Sequence, residues 1–207
     1  STNVPLAKIA AQLSVGQKLK NYNLPRWDSI NHVSIKEAVL PFNKFPAESI
    51  FLSPEMKSTG EVMGISENFG LSFYKATLSA GIKLPESGLV FISVNNEDKF
   101  KIISIARAFK ELGFNIVATE GTAKELIKNG MSAEAVYKVG EGRPNIVDRI
   151  KNNEIDLVIN TPLGAQSRYD EEAIGKACIQ KSIMAITTLS AADAVLYAIR
   201  TKNKIKV

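Results

Sequence analysis

The chain has 207 residues, 45% of them hydrophobic, one cysteine, one histidine and a formal net charge of +5, which suits one domain of ordinary size, alone or with an attached fragment. No apolar run is long enough to span a bilayer, and the modest, scattered charge argues against a nucleic-acid surface and for a small anionic ligand. A lone cysteine excludes an internal disulfide framework and fits a reducing, cytoplasmic compartment, while a lone histidine leaves no metal-ligand spacing.

The chain opens on Ser1 without a signal-peptide pattern, as expected of a piece of a longer protein. Pro5 stands at a good first helical position, and Leu6, Ile9, Ala10 and Leu13 recur at helical spacing before Gly16 closes the segment. Asn21 to Asn31 is polar and turn-rich, and Ser34 to Phe42 reads as an extended strand stopped by Pro41. Pro46 to Gly64 shows neither period and reads as irregular. These first 64 residues cannot bury a sizeable core alone, so residues 1–64 and 65–207 are expected to be separate units.

Beyond Gly64 the pattern changes. Ser66 is expected to cap a helix with Phe69, Phe73, Ala76 or Thr77, and Ala80 on one side, ended by Gly81. Strand and helix then alternate. Strands are expected at Leu89–Val94, Asn115–Ala118, Ala135–Lys138, Asp156–Ile159 and Ile183–Ile186. Helices are expected at Lys99–Leu112, Thr122–Asn129, from Asn145, at Tyr169–Gln180, and from a Ser190 cap to Ile199. This predicts a three-layer α/β/α fold with a parallel sheet of about five strands, preceded by an irregular α+β segment. Cys178 falls within the fourth of these helices and reads as a small buried apolar residue.

Ligands of open α/β sheets sit at the carboxyl ends of the strands. Three such ends carry groups suited to an anion. Lys99 starts a helix after the first strand. Thr119-Glu120-Gly121-Thr122 starts another after the second, with Gly121 permitting close backbone approach. Lys138 follows the third. Lys99, Thr119, Gly121, Thr122 and Lys138 therefore predict a phosphate clamp. The fourth strand ends in Asn160-Thr161-Pro162-Leu163-Gly164, a polar loop on the pocket floor. No G-x-G-x-x-G follows a strand, so a dinucleotide fingerprint is absent. Glu120, Glu141 and Asp170 are the pocket's acid/base candidates, although Glu141 is expected to pair with Arg143 and hold its turn.

The run Pro54-Glu55-Met56-Lys57-Ser58-Thr59-Gly60-Glu61-Val62-Met63-Gly64 closely resembles the end of the second ATP-grasp half of the carbamoyl-phosphate synthase large chain. Val4 to Ala10 and Val39 to Phe45 resemble the same region. From about Ile65 onward the chain is similar to that family's allosteric domain, of methylglyoxal-synthase-like fold. The carriers are Asp98-Lys99, Ala118 to Thr122, Lys138 to Pro144 and Ile159 to Thr161.

The resemblance implies a regulatory region without catalytic residues of its own. It implies an enzyme that makes carbamoyl phosphate from bicarbonate, glutamine-derived ammonia and ATP, for pyrimidine and arginine synthesis. ATP and Mg or Mn would serve the rest of the large chain, and a glutaminase small subunit would be a partner; oligomer contacts through this domain are also implied. UMP and IMP are the implied nucleotide effectors. Their phosphate falls on Lys99, Thr119, Thr122 and Lys138, and their base and ribose on Asn160, Thr161 and the loop to Gly164. Ornithine is implied nearby, on Asp170 and Thr187. The chain departs from relatives at Glu120, which puts a carboxylate in the phosphate loop, and at Ile186, where some members carry aspartate. Leu163 and Ala165 replace polar or basic residues. A methylglyoxal synthase on the same fold is the alternative, but it needs a positioned base, and residues 65–207 contain no histidine. A purine-pathway cyclohydrolase domain shares a G-R turn, yet lacks the segment from Pro46 to Gly64; a purely structural module with an empty pocket is the third reading.

Overall fold

The computed structural model describes residues 2–40, 60–161 and 168–202. An amphipathic helix, α1 (Leu6–Ser14), leads through two short 3₁₀ turns to a two-stranded antiparallel sheet of β1 (Val33–Val39) and β2 (Gly60–Ser66). The long helix α2 (Phe69–Ser79) packs on both strands. Strand β2 begins inside the stretch expected to be irregular. Its inward positions include Gly64, which has no side chain to reveal the alternation. That glycine is needed: a Cβ there would stand 2.6 Å from the backbone nitrogen of Ala76 and overlap the carbonyl of Ser72.

Two more expectations about α2 change. Its cap is Asn68, whose side chain accepts from the Leu71 N–H at 2.9 Å, rather than Ser66. Its buried positions are Gly70, Ser72, Ala76 and Thr77, while Phe69 is 40% exposed. Small residues line α2 because it is held between the hairpin and α7 (Leu189–Lys202), with Gly70 against Tyr197 and Thr201. The Ser72 hydroxyl donates to the Val33 carbonyl at 2.7 Å and fixes the helix on β1. Gly81, in the left-handed region, ends α2 as expected.

Five parallel strands follow: β3 (Gly88–Val94), β4 (Phe114–Thr119), β5 (Glu134–Val136), β6 (Leu157–Thr161) and β7 (Met184–Ile186). They lie in the order β5-β4-β3-β6-β7. Alternate residues point to opposite faces. Val90, Ile92, Ile116, Ala118, Leu157 and Ile159 pack on one side with α3 (Lys99–Glu111), α4 (Glu120–Lys128) and α7. Phe91, Val117, Val136 and Val158 pack on the other with α5 (Ile146–Lys151) and α6 (Arg168–Lys181). The predicted three-layer α/β/α architecture is the observed one. Helix α7 is capped two residues earlier than expected, by Thr188, whose hydroxyl accepts from the Ala191 N–H at 3.2 Å.

Gly64→Ala is expected to destabilise the protein by about 1–3 kcal/mol, because the added methyl meets the backbone of α2 at Ser72 and Ala76 and α2 must lift off the hairpin. The check is urea unfolding, read as a lower midpoint at unchanged slope; an unaltered midpoint would contradict the packing.

Candidate functional site

The chain runs outward from β3 to β4 and β5, then returns to place β6 on the other side of β3. At that switch point, beyond the carboxyl ends of β3 and β6, such sheets keep a crevice. A cavity of about 450 Å³ lies there. Phe91, Ile146 and Ile174 form its apolar part. Around the rest stand Lys99, Thr119, Gly121, Thr122, Lys138, Asn160, Thr161 and Asp170, all singled out from the sequence. Gly164, Leu163 and Ala165 lie outside the described residues.

The start of α4 is the most polar part. Thr119 is its N-cap, but its side chain makes no cap bond. Instead the Thr119 hydroxyl donates to the Thr122 hydroxyl at 3.2 Å and lies 3.4 Å from that of Ser93, while the Val94 N–H donates to Thr122 at 3.3 Å. The first N–H groups of a helix have no intrahelical acceptor. Left uncapped, they favour an anion. Lys99 comes from a different strand end to the same spot, its ammonium 3.4 Å from where a Cβ on Gly121 would be. Lys99 is half-buried and, among the described residues, has no ion pair.

Glu120, the carboxylate in this loop, turns away. It pairs with Lys124 one turn on at 2.7 Å, and that hydrogen bond lowers its pKa. Glu141 does not pair with Arg143 as expected; its carboxylate folds back to accept the Lys138 N–H at 3.1 Å. Arg143 lies 3.8 Å from Asp148 instead. Asn145 and Asp148 cap each other's backbone N–H, which seats Ile146 at the cavity. Asp170, from the first turn of α6, faces Lys138 and Glu141. Its pKa is raised by partial burial, with Lys138 pulling it down and Glu141 pushing it up.

Asp170 and Thr187 are not brought together. Thr187 lines a second cavity of about 630 Å³, between β1 and β7, which Asp170 does not reach. Asn160 and Ile174 line both cavities and form the wall between them. Glu37 of β1 also lines the second cavity, and burial raises its pKa. Sequence reading passed over Glu37 because it sits on an ordinary alternating strand. It also passed over Asn95, one of whose partners, Thr161, lies 66 residues away.

The family model of the MGS-like domain matches residues 101–187. Over 99% of its length the chain is 50% identical to the carbamoyl phosphate synthase large chain of Acidobacterium capsulatum, and over all of it 48% identical to that of Archaeoglobus fulgidus. It is 46% identical to the carbamoyl phosphate synthase large chain, C-terminal section, of Aquifex aeolicus. Along its whole length the chain matches carbamoyl phosphate synthase large chains, and it carries an MGS-like domain. It spans 19% of the first two of these large chains and 41% of the C-terminal section. Among solved structures, a methylglyoxal synthase from Elizabethkingia anophelis aligns at a TM-score of 0.46 and 18% identity, over 55% of this chain and 79% of that one. Among the described residues no helix is long and apolar enough to cross a membrane, and no group of three metal-binding side chains occurs.

Cys178 lines the second cavity yet is only 1% exposed, and burial pushes its thiol up to about 12. The folded protein is expected to resist a thiol reagent at mildly alkaline pH and to react fully once unfolded. Because the folded state holds this proton, the thiol's contribution to stability is intact below its ordinary value of 9.0 and is lost as the pH rises toward about 12. Labelling of the native chain at the rate of the unfolded one would contradict the burial.

Proposed function

We propose that this chain is the effector-binding region of a carbamoyl phosphate synthase large chain. It binds nucleoside monophosphates, UMP and also IMP, and thereby controls carbamoyl phosphate synthesis from glutamine, bicarbonate and ATP by the remainder of a cytoplasmic enzyme. The observation that carries the reading is the Lys99 ammonium over Gly121, at an uncapped helix start inside a cavity that Lys138 also lines. A phosphate placed there meets two cations, two threonine hydroxyls and free backbone N–H groups. Asn160 and Thr161, with Gly164 beyond them, take the ribose and base.

ATP and its Mg or Mn would bind elsewhere in the large chain, and the glutaminase small subunit is the partner of the whole enzyme rather than of this cavity. The chain alone is non-catalytic in this reading. Against a methylglyoxal-synthase-type lyase stands the engagement of two of the cavity's three acid/base candidates: Glu120 is tied to Lys124 and Glu141 to the Lys138 backbone, which leaves Asp170 alone. The second cavity supports a separate place for ornithine. There a half-buried Glu37 carboxylate, unpaired among the described residues, offers a seat for an ammonium group beside Thr187.

A charge-assisted hydrogen bond to phosphate contributes on the order of 1.5–3 kcal/mol. Lys99→Ala and Lys138→Ala are therefore each expected to weaken UMP binding by roughly 10- to 150-fold. Unfolding midpoints should hardly move, since neither lysine has an ion pair among the described residues. Isothermal calorimetry with UMP, IMP and dihydroxyacetone phosphate is the measurement. Wild-type affinity in both lysine variants would overturn the clamp, and tight binding of dihydroxyacetone phosphate alone would favour the lyase.

Asn160→Ala is expected to act differently, since an amide reads ribose or base without adding charge. The same titrations should show a changed ratio of UMP to IMP affinity rather than a uniform loss. An unchanged ratio would remove Asn160 from the specificity side of the cavity.

A further inference from the structure

Asn95, the first residue after β3, makes an unusual number of hydrogen bonds for a loop side chain. Its backbone N–H donates to the Thr161 carbonyl at 3.2 Å and lies 3.4 Å from the Thr161 hydroxyl. This extends the β3–β6 pairing one residue past Val94 and Thr161. Its side-chain amide nitrogen is within bonding distance of the Asp98 carboxylate at 2.7 Å, the Thr161 hydroxyl at 3.2 Å and the Thr161 carbonyl at 3.3 Å. Its side-chain oxygen accepts from the Glu97 and Asp98 N–H groups at 2.9 and 3.0 Å. One planar amide thus joins the end of β6 to the turn that delivers Lys99, and it lines the cavity with both.

We propose that Asn95 is a positioning residue for the anion cavity, holding Lys99 at a fixed distance from Thr161 and from the start of α4. The inference rests on the anion-site reading above and adds a residue to it. Two features of the chemistry carry it. First, Asn95 fixes the turn from which Lys99 emerges. Its side-chain oxygen satisfies the Glu97 and Asp98 N–H groups just before α3, while the starts of α3 and α4 themselves receive no side-chain cap. Lys99, the first residue of α3, thus reaches the cavity from a turn held by Asn95. Second, the task needs an acceptor and a donor on one short side chain. Aspartate keeps the acceptor but loses both donors and opposes Asp98; serine cannot reach both sides; alanine does neither.

The test is a double-mutant cycle read by calorimetry, with UMP and inorganic phosphate as probes. Asn95→Ala is expected to weaken UMP binding by about tenfold, a loss equivalent to about 1.4 kcal/mol. The loss should largely disappear in a Lys99→Ala background, because a displaced lysine that is already absent cannot be displaced further. In a Lys138→Ala background it should persist. Asn95→Asp keeps the bonds to the Glu97 and Asp98 N–H groups and hence the fold of the turn, and it too should bind UMP less tightly. Wild-type affinity in Asn95→Asp, or a loss in Asn95→Ala that is undiminished without Lys99, would overturn the positioning role alone. Failure of the wild-type chain to bind either probe would overturn the anion-site reading and this role with it.

Discussion

Val94 of β3 and Thr161 of β6 are the last residues paired in register between the two strands, and both line the cavity at the sheet's switch point. Both strands are buried on both faces, so neither can slide without exposing a layer of core: Val90, Ile92, Leu157 and Ile159 on one side, Phe91 and Val158 on the other. A slip of one residue would exchange those faces. The strand ends are therefore placed by the hydrophobic core rather than by anything in the loops. The polar residues beyond them inherit that placement, and Asn95 extends it one residue into the loop region.

On this frame the electrostatics of the cavity are asymmetric. Lys99 stands at the α4 start and Lys138 lines the same cavity, while the carboxylate within that start, Glu120, is drawn off by Lys124. A cation beside the positive end of a helix is an arrangement that an incoming anion relieves. Asp170 supplies the opposite sign across the cavity, near Lys138. The polarity thus runs from a cationic α4 side to a mixed amide, hydroxyl and carboxylate side, which suits a ligand with a charged head and a neutral, hydrogen-bonding body.

The hairpin and α2 are held to this body by closeness rather than by size. Gly64 lets α2 approach β2, and Gly70 lets it approach α7. Val33 and Ser72 add one directed bond between them. Strand β1 then forms one wall of the second cavity and β7 contributes to it as well, so residues from both ends of the chain share that space with Asn160 and Ile174.

The alternation of elements from β3 onward was legible in the residues because it rests on local rules. Continuous apolar runs gave the buried strands, and helical spacing gave Ile102, Ile103, Ala106 and Phe109 as the inward face of α3. The positions of Lys99, Thr119, Thr122 and Lys138 at strand ends followed from the same pattern, since a parallel sheet puts all carboxyl ends on one edge. What the sequence could not reveal depends on residues far apart in the chain. Strand β2 looked irregular because its inward residue is a glycine demanded by a helix on the other side of it. The caps fell on Asn68 and Thr188 rather than Ser66 and Ser190, because all four residues suit a cap and tertiary packing sets where each helix begins. The direction of Glu120, the separation of Thr187 from Asp170, and the bonds of Asn95 to Thr161 were likewise decided by tertiary structure. Periodicity reports which face of an element is apolar, but the partner of a polar side chain is chosen only when the sheet brings distant segments to one edge.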